Sequence, residues 1–169
     1  VTVSASGLQL GANEMTTPTA VLEGDELVRR REATLGETLG NEPGITSSHF
    51  GAGASRPIIR GMDGPRVKVL SDGAELHDAS TISPDHAVAS EPLLATQIEV
   101  LRGPSALVYG GGAVGGVVNV LDGKVPTAIP QKGIEGSAEL RANTGAGEGA
   151  GAFSLTGGAG NLAVHAEGV

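Results

Sequence analysis

The stretch Gln97–Val120 constrains the fold more than any other part of the chain. Gln97-Ile98-Glu99-Val100-Leu101 is strand material, and Gly103-Pro104 ends it. Ser105-Ala106-Leu107-Val108-Tyr109 follows the proline and suits a short helix. Gly110 to Gly116 holds five glycines, and Val117-Val118-Asn119-Val120 is β-branched again. The order is strand, short helix, glycine turn, strand. It matters because Gly110–Gly115 also fits G-x-G-x-x-G. A dinucleotide site needs a strand before those glycines and a helix N-terminus after them, so that backbone N–H groups face a pyrophosphate. Here a short helix precedes and a strand follows. A soluble nucleotide-binding enzyme using Gly110–Gly115 stays an alternative that a helix opening at Gly112 would revive. Gly61, Gly103, Gly110, Gly115 and Gly116 are expected to supply positive φ and close packing instead.

The chain has 28 Gly, two Phe, one Tyr and no Trp, so its core has to be built from Val, Ile, Leu and Ala. Its length suits one ordinary core with an appendage. No Cys is present, which excludes disulfides and thiolate metal sites. A net charge of −8 argues against nucleic acid as a partner. No apolar run is long enough for a transmembrane helix. No signal-peptide pattern is visible, so an exported form would be mature sequence. Catalytic signatures are missing too: there is no G-x-S-x-G elbow and no His-Glu-x-x-His helix.

Along the chain, residues 1–19 read as an extended or flexible entry. Val1-Thr2-Val3-Ser4-Ala5-Ser6 alternates and could be a strand or a loose terminus. Asp25 to Arg31 is a short charged helix. Thr34-Leu35-Gly36-Glu37 is a capping box that starts a second helix, which Asn41-Glu42-Pro43-Gly44 stops. Short strands are expected at 45–48, 57–60, 66–71 and 97–102, with a turn at Asp72-Gly73 and a helical turn at 92–96. Residues 124–132 hold two prolines and read as a linker. Beyond it, three period-2 segments alternate apolar with polar side chains between glycine-rich turns. They suit a barrel wall with lipid on one side and water on the other, or an amphipathic meander on a soluble core.

From Val69 to Leu101 there is no Lys or Arg, yet there are six acids and two of the four His. Such a span is a place for a cation, because imidazole and carboxylate are good zinc ligands. Asp85 and His86 are adjacent in a loop and could face one ion, with His77 or Asp78 as a third ligand if the chain folds back. They could equally be solvated loop residues. Arg60 and Arg102 each end a strand and precede a glycine. They could pair locally with Glu99 or Asp63, or with carboxylates elsewhere.

The run 97–120, with Arg56-Pro57-Ile58-Ile59-Arg60-Gly61 and Val67-Lys68-Val69-Leu70-Ser71-Asp72-Gly73, resembles the plug domain of TonB-dependent outer-membrane receptors. The resemblance covers about residues 15–125. It implies an α+β fold: a plug with a small mixed β-sheet and short flanking helices, followed by antiparallel strands that resemble the start of a transmembrane β-barrel. The expected division is 1–19 as N-terminal segment, 20–123 as plug, 124–132 as linker and 133–169 as opening barrel strands. A receptor barrel needs about 22 strands, so the rest is expected elsewhere. A free fragment would then pair or swap its open strands between copies.

The resemblance further implies a non-enzymatic transporter of the bacterial outer membrane, energised by TonB and without a cofactor. Residues 1–6 resemble the TonB box, which pairs with TonB by strand addition. Arg60 and Arg102 would dock on barrel carboxylates. The segment Leu76–Ala87, with Ser83-Pro84-Asp85-His86, looks like the plug loop of ZnuD-like zinc-uptake receptors. That match makes Asp85 and His86 zinc ligands, with zinc as transported substrate. A siderophore or haem receptor is the alternative cargo assignment.

Overall fold

The computed structural model describes residues 2–6, 10–15, 17–145 and 147–169. They divide into two compact units, Val1–Leu121 and Asp122–Val169.

The first unit is built on a five-stranded sheet in the order β1-β6-β7-β4-β5. Its strands are β1 (Thr19–Glu23), β4 (Val67–Ser71), β5 (Ala74–Glu75), β6 (Gln97–Leu101) and β7 (Gly116–Leu121). The sheet is mixed: β4 and β7 are parallel, and the other pairs are antiparallel. A separate hairpin joins β2 (Ile45–Ser47) to β3 (Pro57–Ile59). Two short helices follow: α1 (Gly24–Arg30) packs on β1 and β6, and α2 (Leu35–Leu39) packs on the hairpin. Thr34 caps α2, its hydroxyl oxygen accepting the Glu37 N–H at 3.3 Å; such a cap contributes about 1 kcal/mol.

Period-2 alternation gives the sheet two different faces. Ile98, Val100, Val118 and Val120 share one core with Leu27, Leu35, Leu39, Ile45 and Ile59. Leu70, Leu101 and Val117 face the other way, against Val3, Ala5, Ala106 and Ala113. Glu99 and Asn119 are register partners and both fully buried. The expected strands, both helices and the turn at Asp72-Gly73 are present. Asp72 and Gly73 both have positive φ, the signature of a type I′ turn. The turn opens a two-residue strand, β5, too short to read from sequence. Also unread was β1, where the sequence offers five residues between a polar entry and a charged helix.

The alternating N-terminal hexapeptide is not a strand. Thr2 makes one isolated bridge to Gly11, and the chain turns at Ser4-Ala5. Val1 lies outside the described residues. Within this segment Val3 is 0 % exposed and Ala5 2 % exposed, both in a cluster with Leu101 and Val117.

The second unit is a three-stranded antiparallel meander, β8 (Ile134–Asn143), β9 (Glu148–Ala159) and β10 (Leu162–Gly168), with β9 in the middle. Its register puts Ile134, Ala138, Leu140, Phe153, Leu155, Leu162 and Val164 on one face. Glu135, Glu139, Arg141, Glu148, His165 and Glu167 occupy the other. On that polar face His165 Nδ1 lies 2.7 Å from the Thr156 hydroxyl, and its Nε2 lies 3.2 Å from Glu167.

Candidate functional site

The middle of the acidic, base-free span, 76–96, connects β5 to β6 and carries the candidate ligands. Its tip is in water: Ile82 is 91 % exposed, and Asp85 and His86 are both exposed. The tip is tied within itself. The Ser83 hydroxyl donates to Asp85 Oδ1, and the His86 N–H donates to the Ser83 carbonyl at 3.3 Å. The Ser83 hydrogen bond first, and then its own backbone N–H, hold the Asp85 carboxyl below the usual carboxylate range. It is therefore ionised at neutral pH, as a cation ligand must be. Among the described residues, no three His, Asp or Glu gather where they could hold a metal ion. Asp85 and His86 would supply two ligands, short of the four zinc usually takes.

The other two candidates sit differently. His77 is exposed near the start of the loop. Asp78 has a side chain only 5 % exposed and lies against Arg56. Sequence reasoning noticed Arg56 only as part of a motif. It is among the most completely buried side chains of the protein, at 1 % exposure.

Arg60 and Arg102 are near enough for their charges to interact. Arg60 is exposed and has φ +51, and Arg102 is 8 % exposed with its Nε buried and without a hydrogen bond. Burial lowers the Arg102 pKa; nearby Glu42 opposes that and Arg60 adds to it. The local partners considered from sequence are engaged elsewhere. Asp63 lies 4.0 Å from Arg56 Nε, and Glu99 faces the N-terminal segment.

Glu99 holds that segment. Its Oε1 accepts the Ser4 N–H at 2.6 Å and the Ser4 hydroxyl at 2.9 Å, and its Oε2 accepts the Ala5 N–H at 2.8 Å. Asn119 donates to Glu99 Oε2 at 3.1 Å and accepts the Gly73 N–H at 2.9 Å. The Tyr109 hydroxyl donates to the Ala5 carbonyl at 2.6 Å. Burial, and then the Glu99 charge, push the Tyr109 phenol up. The sequence signals for this cluster are two polar residues among apolar ones, Glu99 within 98–101 and Asn119 within 117–121.

The glycine run has no helix after it. A 3₁₀ segment, Gly103–Tyr109, precedes it and β7 follows, so no helix N-terminus opens there for a pyrophosphate. Gly110, at φ +93, makes the turn. A Cβ on Gly116 would meet the Leu101 carbonyl at 2.8 Å, and one on Gly115 the Arg66 carbonyl at 2.9 Å. These glycines close the connection from β6 to its antiparallel neighbour β7.

The model of the TonB-dependent Receptor Plug Domain family matches residues 12–117. Among solved structures, a variant of the ferric enterobactin receptor PfeA from Pseudomonas aeruginosa superposes with a TM-score of 0.70 at 20% identity, over 98% of this chain and 25% of that one. The copper transporter OprC gives 0.69 at 23% identity, over 83% and 21%. The siderophore receptor PirA from Pseudomonas aeruginosa gives 0.57 at 26% identity, over 91% and 28%. The chain thus spans about a quarter of the length of the receptors it matches.

Proposed function

Because this chain belongs to the TonB-dependent receptor plug domain family, we propose that it forms the plug portion of an outer-membrane receptor that takes up zinc by energised, gated transport. Plugs of this family reside in the bacterial outer membrane, in transporters and not enzymes. The observation that carries the zinc assignment is the loop tip: an ionised carboxylate and an adjacent imidazole, both in water, on a span with no cation of its own. Barrel residues would complete the coordination. Arg60 and Arg102 would dock on barrel carboxylates, and the buried, unbonded Nε of Arg102 favours such a partner.

Residues 1–6 would be the segment on which TonB acts, by strand addition. In the docked state the Ser4 and Ala5 N–H groups, one of which a new strand would pair with, are both given to Glu99. TonB binding therefore requires this contact to open, and the connection from Glu99 through Asn119 to the β4–β5 turn gives force on the segment a route into the sheet.

A siderophore cargo is the second reading, favoured by the likeness to PirA at 26% identity. Calorimetric titration separates the two. Zinc should bind the chain weakly, and Asp85→Ala/His86→Ala should abolish that binding. Equal zinc affinity for the double variant and the parent would sink the zinc assignment, and binding of a ferric siderophore by both would favour the second.

A further inference from the structure

We infer that the buried Arg56–Asp78 pair is a clamp that closes the neck of the 79–88 loop and so sets the position of Asp85 and His86, with Asp78 a positioning residue and not a ligand. The Asp78 carboxylate joins the two ends of the loop. Its Oδ2 accepts the Ala89 N–H at 3.2 Å, eleven residues on, while its Oδ1 accepts from the Ser80 hydroxyl and, at 3.3 Å, from Arg56 Nη1. Arg56 Nη1 also reaches the Ser80 hydroxyl, and Nη2 donates to the Val67 carbonyl at 3.2 Å, where β4 begins.

The guanidinium is itself fixed by its backbone. Arg56 N–H donates to the Ser48 hydroxyl at 3.0 Å, and the Ser48 N–H donates to the Arg56 carbonyl at 3.0 Å. One charge therefore ties the β2–β3 hairpin, the start of β4 and both ends of the loop. Val88, 9 % exposed within the main core, and Ser80, 2 % exposed, pin the neck on either side. Between them the chain is exposed at Ile82, Asp85 and His86. The geometry is a fixed neck with an exposed tip.

A metal at Asp78 would have to displace Arg56 and leave a desolvated cation without its main partner, which a buried site resists. Both carboxylate oxygens are already satisfied. The tip residues are bound by no such pair.

The clamp stands on its own geometry, and its effect on zinc rests on the proposed cargo site. Hydrogen exchange on the whole chain tests the first. Arg56→Met and Asp78→Ala should each speed exchange at Ala89 and across 79–88 by about tenfold or more, with Val100 and Val118 in the sheet unchanged. Asp85→Ala should leave the neck protected. If the Met variant fails to fold, Arg56→Lys serves, since it keeps the charge but cannot reach Asp78, Ser80 and Val67 together.

Titration with zinc chloride tests the second. Both variants should weaken binding by about 10–100-fold, and the double variant should be no worse than either single change. Unchanged exchange at Ala89 would overturn the clamp. So would zinc affinity that is lost in Asp78→Ala yet kept or raised in Arg56→Met, because that is how a ligand behaves. Altered neck exchange in a chain that binds no zinc would support the clamp and remove the cargo assignment.

Discussion

Glu99 shows how one side chain can organise a face of a sheet. A carboxylate with no exposure is tolerable because Ser4, Ala5, Gln97 and Asn119 together supply its donors. Glu99→Gln keeps the shape but places an NH₂ against donors. It should cost about 1–3 kcal/mol, read by denaturant unfolding, with faster hydrogen exchange at Ser4 and Ala5 than in the parent. An unchanged exchange rate at those two amides would mean that Val3 burial alone holds the segment. Asp85 is a different case, a surface carboxylate whose pKa is set locally. Because its folded value is lowered, its small contribution to stability is present above the unfolded value and is lost as pH falls through the folded one. Ser83→Ala removes the leading cause, so the Asp85 titration followed by carboxyl NMR should move up toward the ordinary range.

Among the elements, α2 carries more than its five residues suggest. A Cβ on Gly36 would meet the Ser55 hydroxyl oxygen at 2.5 Å and the Arg56 carbonyl oxygen at 2.7 Å. The helix lies directly on the backbone that presents Arg56, with the Gly36 N–H donating to the Ser55 carbonyl at 3.2 Å. Gly36→Ala should therefore destabilise the chain by about 1–3 kcal/mol in spite of the better helix propensity of alanine. A thermal melt equal to the parent would show that the contact relaxes freely. This element was half legible in advance. Thr34 and Glu37 announced where it starts, because capping is local chemistry. Its packing on Ser55 and Arg56 was not announced, because that contact depends on the β2–β3 hairpin folding back. The same division holds elsewhere. The β6-turn-β7 order and the three wall strands follow from period and glycine placement, which are written locally. The roles of Arg56, Asp78, Glu99 and Asn119 depend on residues tens of positions apart, and β1 has too few residues to declare itself against its neighbours.

At the scale of the whole molecule, the two units solve the burial problem in opposite ways. Val1–Leu121 encloses its apolar side chains between a sheet and its coverings. The meander leaves Leu140 at 91 %, Leu162 at 68 % and Phe153 at 52 % exposure on one face that carries no charge. Such a face calls for lipid or detergent. Its two outer strands, β8 and β10, have no further partner among the described residues, and neither contains a proline that would blunt the edge. Open rows of N–H and C=O groups are costly in an apolar medium, where no water can satisfy them. Moving the chain from water into detergent should therefore do two things at once. It should cover the apolar face, and it should drive β8 of one copy onto β10 of another. The expected result is a concentration-dependent oligomer in light scattering, trapped by cysteine pairs placed between Ala138 and Val164 of different copies. The first unit should keep its exchange pattern throughout. A particle that stays a single copy at high protein concentration in detergent would show that the meander edges are satisfied within one chain, and the barrel-wall role of the second unit would then lose its physical basis.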